Sequence, residues 1–88
     1  MRWRPSPDVV VRTLGEEAVL VHLRTNRIFT LNPTGVRVWE LLGGGLDRPA
    51  ICERLQQEFD VDGARLDKDL DALLEGLRRE GLVSPDAE

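Results

Sequence analysis

The sequence has one cysteine, one histidine and no tyrosine, and each scarcity removes a class of function. A lone Cys52 allows no internal disulfide and no cysteine-based metal site. Nothing in the sequence brings Cys52 and His22 together as a nucleophile pair, and there is no glycine-rich phosphate loop. Cys52 is expected to be a small core residue on a helix and His22 a plain strand residue. The chain is therefore expected not to be an enzyme and to need neither cofactor nor metal. Its only aromatic rings are Trp3, Phe29, Trp39 and Phe59, so leucine and valine must fill the core. No apolar run approaches the ~20 residues that span a bilayer. The start, Met1-Arg2-Trp3-Arg4-Pro5, has no apolar stretch behind its charges, so no secretory signal is expected there. A cytoplasmic protein with no membrane partner is expected.

What is present is a chain of 88 residues, enough for one domain over 1–88, with an ordered core expected at about 7–83. Lys68 is the only lysine; every other cation is arginine. Residues 1–46 hold six arginines against four carboxylates, whereas residues 47–88 hold six basic against twelve acidic groups. The second half would repel nucleic acid or an anionic membrane.

Residues 9–13 are β-branched and read as a strand, and Leu14-Gly15-Glu16 offers a turn. Residues 17–23 read as a second strand. Thr25-Asn26 is the next turn, because asparagine tolerates positive φ. Residues 27–31 make a third strand whose alternation puts Phe29 and Leu31 on one face and Ile28 and Thr30 on the other. Asn32 then caps a helix that Pro33 opens, running to about Leu42 and stopped by Gly43-Gly44-Gly45. Asp47 caps a second helix carrying Ile51, Cys52, Leu55 and Phe59 on one stripe. A third starts near Asp62, buries Leu66, Leu70, Leu73, Leu74 and Leu77, and stops at Gly81. Leu82 and Val83 can fold back on the core, and residues 84–88 are expected to fray. The predicted fold is α+β and winged helix-turn-helix-like: a three-stranded antiparallel sheet followed by three helices, βββααα.

A helix-turn-helix raises DNA binding, but the third helix exposes Asp67, Asp69, Asp71, Glu75 and Glu80 against Lys68, Arg78 and Arg79. Aspartates brought to phosphates oppose binding, so no nucleic-acid partner is expected. The third strand is the better candidate. It contains no proline, carries only Arg27 as a charge, and lies at a sheet edge where a peptide strand can add. A covering helix or a second copy of the domain would close that edge.

The stretch Arg27-Ile28-Phe29-Thr30-Leu31-Asn32-Pro33-Thr34-Gly35-Val36-Arg37-Val38-Trp39-Glu40-Leu41-Leu42 resembles the signature of PqqD-like proteins. There a strand ends in Leu-Asn, and a Thr-Gly turn enters a helix with an aliphatic–Trp pair. Glu58-Phe59-Asp60-Val61-Asp62 and the run Asp69-Leu70, Leu73-Leu74, Leu77, Gly81-Leu82 fit the second half, so the resemblance spans about residues 9–83. It implies a recognition element for ribosomally made, post-translationally modified peptides (a RiPP recognition element). Such a protein binds the leader segment of a precursor as a strand between its third strand and third helix. Carried to matching positions, the cleft involves Arg27, Ile28, Phe29 and Thr30, and from the helix Leu66, Asp67, Leu70, Asp71, Leu74 and Arg78. The helical wheel also permits the opposite flank, through Asp69 and Leu73. Trp39, and in large part Phe29, Leu70 and Leu77, have a plain core role as the alternative, whereas Ile28 points away from the core. The resemblance implies two settings. One is a lasso-peptide pathway with a separate leader peptidase and cyclase; the other is chaperoning a precursor to a radical-SAM enzyme, as in pyrroloquinoline quinone assembly. A monomer or weak dimer is expected.

Overall fold

The computed structural model describes residues 3–85, folded in the order β1 (Trp3–Pro5), β2 (Val9–Leu14), β3 (Glu17–His22), β4 (Ile28–Leu31), α1 (Pro33–Gly43), α2 (Arg48–Glu58), α3 (Gly63–Arg79) and β5 (Val83–Pro85). The three strands and three helices expected from the sequence are all present, and the sequence's third strand is β4. β2, β3 and β4 form an antiparallel meander, with Val21 opposite Ile28 and Leu20 opposite Phe29. Its first turn uses Gly15 at φ 66° and its second Asn26 at φ 61°, the left-handed conformation that asparagine tolerates best after glycine.

The sequence reading missed the second sheet. β1 pairs antiparallel with β5, Trp3 opposite Pro85 and Pro5 opposite Val83. Ser84 and Pro85 are thus strand residues rather than fraying ones, and regular structure reaches beyond 7–83; residues 86–88 of the expected frayed tail lie outside the described residues. Three-residue strands containing proline carry too little alternation to be seen in one dimension. What positions them is the end of α3. Gly81 takes φ 73°, its N–H bonds the Arg78 carbonyl at 3.0 Å, and the Leu82 N–H bonds that of Leu77 at 2.9 Å. This paired closure turns the chain back so that Leu82 and Val83 are buried, and the Ser6 N–H then bonds the Leu82 carbonyl at 2.8 Å.

Each helix starts on a side-chain cap. The Asn32 Oδ1 accepts from the Gly35 N–H at 2.7 Å, Asp47 from Ala50 at 3.1 Å and Asp62 from Ala64 at 3.2 Å. At Gly35 a Cβ would sit 3.2 Å from both Asn32 Oδ1 and Leu31 Cδ2, so glycine lets the cap and the end of β4 close together on α1. The core joins Leu20 and Leu31 of the sheet to Val38 and Leu42 of α1, Ile51 and Leu55 of α2, and Leu70 and Leu77 of α3, all fully buried. Cys52 and Trp39 pack against it, partly buried.

Ion pairs tie the helices at their surface. Arg37 of α1 donates Nε to Glu58 Oε1 at 2.6 Å and Nη2 to Oε2 at 2.7 Å, joining α2. The bond from Arg37 holds the Glu58 carboxyl below the ordinary carboxylate range. Its contribution is therefore complete above the ordinary carboxylate pKa and is lost as pH falls through the lowered value. Wild-type and Glu58→Gln proteins are expected to differ in urea midpoint at about pH 6 and to converge as pH falls through the lowered Glu58 value. A constant difference across that range would show that the pair adds nothing.

Candidate functional site

β4 has β3 on one side only, so its other side is a sheet edge. The His22 N–H bonds the Arg27 carbonyl at 3.0 Å, and the Leu23 N–H bonds the Asp8 carbonyl at 2.8 Å. Antiparallel alternation counted from those bonds makes Phe29–Leu20 and Leu31–Ala18 the hydrogen-bonded pairs. The N–H and C=O of Ile28 and Thr30 therefore point outward, away from β3. Their side chains lie on the outer face of the sheet, Ile28 67% exposed, while Phe29 is half-buried and Leu31 buried.

α3 runs along this edge in the opposite sense. Arg27 Nε meets Glu80 Oε1 at 2.6 Å near the helix end. One turn back, a Cβ on Gly76 would lie 3.3 Å from Phe29 Cζ, so the absence of a side chain there admits the ring. Glycine inside a helix costs about 1 kcal/mol relative to alanine, and this close approach accounts for it. Farther back, Leu73 shares a hollow of about 320 Å³ with Phe29, Thr30 and Asn32. Leu73 and Asn32 also line a deeper pocket of about 150 Å³, floored by Val38, Leu55, Leu66 and Leu70. Leu66, Asp69 and Thr34 continue into a third depression of about 350 Å³ bounded by Asp60, Asp62 and Arg65. Shared walls make the three a continuous trough beside the β4 edge, apolar in the middle and acidic at its far end.

The expected site residues divide between two sides of α3. Arg27, Ile28, Phe29 and Thr30 lie on or at the start of the edge strand, and Leu66 and Leu70 form the trough floor. Leu74 is buried in the core. Asp67 and Asp71 face away: Arg48 of α2 donates Nη1 to Asp67 Oδ1 at 2.9 Å and Nε to Asp71 Oδ1 at 3.0 Å. The bond to Asp67 is the main reason that Arg48 is held above the ordinary guanidinium pKa. Arg78 lies on that same side, with Glu75 and beside Gly81. The reason is angular: at 100° per residue, 67, 71 and 78 lie about 180° from 69, 76 and 80, with the leucine stripe between them. The flank facing β4 is thus the alternative one, with Asp69 and Leu73. Sequence reading also missed Asn32, Thr34 and Glu80 as trough neighbours. Gly76 was the available signal, since an interior helical glycine marks a close approach.

A family profile described as coenzyme PQQ synthesis protein D (PqqD) matches residues 17–83. No curated protein sequence matches with significance. Among solved structures, "TbiB1 in Complex with the TbiA(beta) Leader Peptide" is 32% identical, covers 97% of this chain and 99% of its own, and superposes with a TM-score of 0.85. "Lasso peptide synthetase B1 complexed with the leader peptide" shares the fold, with a TM-score of 0.84 at 24% identity, over 97% of this chain and 100% of its own. The profile spans β3 through the first residue of β5, the whole frame of the trough, and the chain belongs to the PqqD family.

Proposed function

We propose that this protein binds the leader segment of a ribosomally made precursor peptide as a fourth strand on β4, and acts as a carrier rather than a catalyst. The observation that carries this reading is the outward-facing backbone of Ile28 and Thr30 beside an apolar trough. Four main-chain groups give sequence-tolerant affinity, each bond contributing about 0.5–1.5 kcal/mol. Selectivity comes from the trough: the pocket of about 150 Å³ suits one aliphatic or aromatic leader side chain. Asp60, Asp62 and Asp69 at the far end favour a cationic residue next to it. The 32% identity with TbiB1, solved with a leader peptide, supports the class of ligand. In this reading the protein works in the cytoplasm and presents the leader to a separate leader peptidase and cyclase of lasso-peptide maturation.

Titration with a candidate leader peptide is expected to saturate with a Kd of about 10 nM to 10 μM. Amide resonances of Ile28, Thr30, Asp69 and Leu73 should shift most. Ile28→Asp is expected to weaken binding by at least roughly tenfold by removing an apolar cross-strand neighbour. Shifts confined to Val10–Leu14, on the opposite edge of the sheet, would overturn the site. Failure of the protein to accelerate precursor processing by peptidase and cyclase would overturn the setting.

A further inference from the structure

A second cavity, of about 500 Å³, opens on the Arg78 side of α3, away from the trough. Arg4, Ser6, His22, Arg24, Arg78 and Ser84 line it, so β1, the end of β3, the following hairpin, α3 and β5 all contribute a wall. Three arginines and one carboxylate, Asp8, line it, on a protein whose formal net charge is −4. Two carboxylates offset the arginines in part: Asp8, 3.7 Å from Arg24, and Glu75, 3.3 Å from Arg78. No acidic side chain among the described residues pairs with Arg4.

His22 is the second observation. Its side chain is buried, only 7% of the residue being exposed, and its Nδ1 accepts the Arg24 N–H at 3.2 Å. In the neutral ring that bond leaves the proton on Nε2, as a donor. Nε2 makes no hydrogen bond among the described residues, yet no described side-chain nitrogen is sealed without a partner, so Nε2 keeps access to solvent on a residue that lines the cavity. Gly81 lies beside that edge of the ring, a Cβ there making ordinary contact at 3.7 Å from Nε2.

We infer that this cavity is a second docking site, for an acidic peptide segment of a partner protein, one carboxylate of which accepts from His22 Nε2 among the three arginines. Guanidiniums suit carboxylates by their paired donors. The volume exceeds what a single inorganic anion fills, and Pro5, Pro7 and Val83 supply apolar wall for a peptide's carbon atoms. The site stands on residues apart from the trough, so leader binding and acidic-segment binding can coexist.

The test is a titration of the full chain, following the His22 ring and the Gly81 amide by NMR. The probes are an end-blocked Asp/Glu-rich peptide, its Asn/Gln counterpart, and inorganic phosphate at matched ionic strength. The acidic peptide is expected to saturate these signals, the neutral one to leave them unmoved, and phosphate to bind at least roughly tenfold more weakly. Arg4→Glu with Arg24→Glu should weaken the acidic peptide at least roughly tenfold and leave leader affinity unchanged. Raising salt from about 50 to about 500 mM should weaken it further. Absence of saturation, equal binding of the Asn/Gln peptide, phosphate binding as tightly as the acidic peptide, or indifference to the charge reversals would each overturn the proposal.

Discussion

Thr30→Pro is expected to weaken leader binding by roughly a hundredfold or more, about 2.7 kcal/mol, while the protein stays folded. The Thr30 N–H points away from β3, so proline there removes no bond of the existing ladder. It does remove one of the donors offered to an added strand, and its ring occupies the place where the incoming carbonyl must sit. On so short a strand, losing the central bond also loosens its neighbours. Thr30→Val, which keeps the N–H, should bind as the wild type does. Phe29→Pro should instead disrupt the sheet, because the Phe29 N–H faces Leu20. Calorimetric titration together with far-UV circular dichroism separates these outcomes. Unchanged affinity of folded Thr30→Pro would remove strand addition on β4.

The second large effect is on stability. Leu77 is wholly buried where α3 meets the rest of the core. Leu77→Ala is expected to cost about 3 kcal/mol, combining lost burial with the cavity left behind. A chain of 88 residues has about 4–13 kcal/mol in total, so this is a large share of it. The melting temperature should fall by roughly 12–24 °C. Leu73, four residues earlier, is only partly buried and walls the trough, so Leu73→Asp should act mainly on leader affinity. If thermal melts ranked Leu73→Asp as the more damaging of the two, Leu73 would belong to the core and the trough would be misassigned.

The parts of this molecule that were legible in the sequence are those that local chemistry dictates. Asn32-Pro33-Thr34-Gly35 announces a capped helix because the cap, the ring and the missing Cβ act within four residues. The β4 alternation separates Ile28 from Phe29 with no knowledge of the partner strand. What stayed illegible needed contacts between distant residues. A leucine stripe fixes which face of α3 is buried but is blind to which border meets β4; in the fold Gly76 admits the Phe29 ring on one border, and Arg48 of α2 pairs with Asp67 and Asp71 on the other. The β1–β5 pair joins the two ends of the sequence, beyond the reach of any pattern along the chain.

That end-to-end pairing bears on how the domain can travel between proteins. Trp3 lies opposite Pro85, so the polypeptide enters and leaves the fold side by side, with β1 and β5 as a clasp. Added sequence at either end emerges from the clasp, which is a different sheet from the one that carries the β4 edge. Such a unit can be joined to an enzyme before it or after it, or spliced into a loop of one, with its β4 edge left open. One fold can then serve both as a separate carrier and as a built-in arm of a larger catalyst.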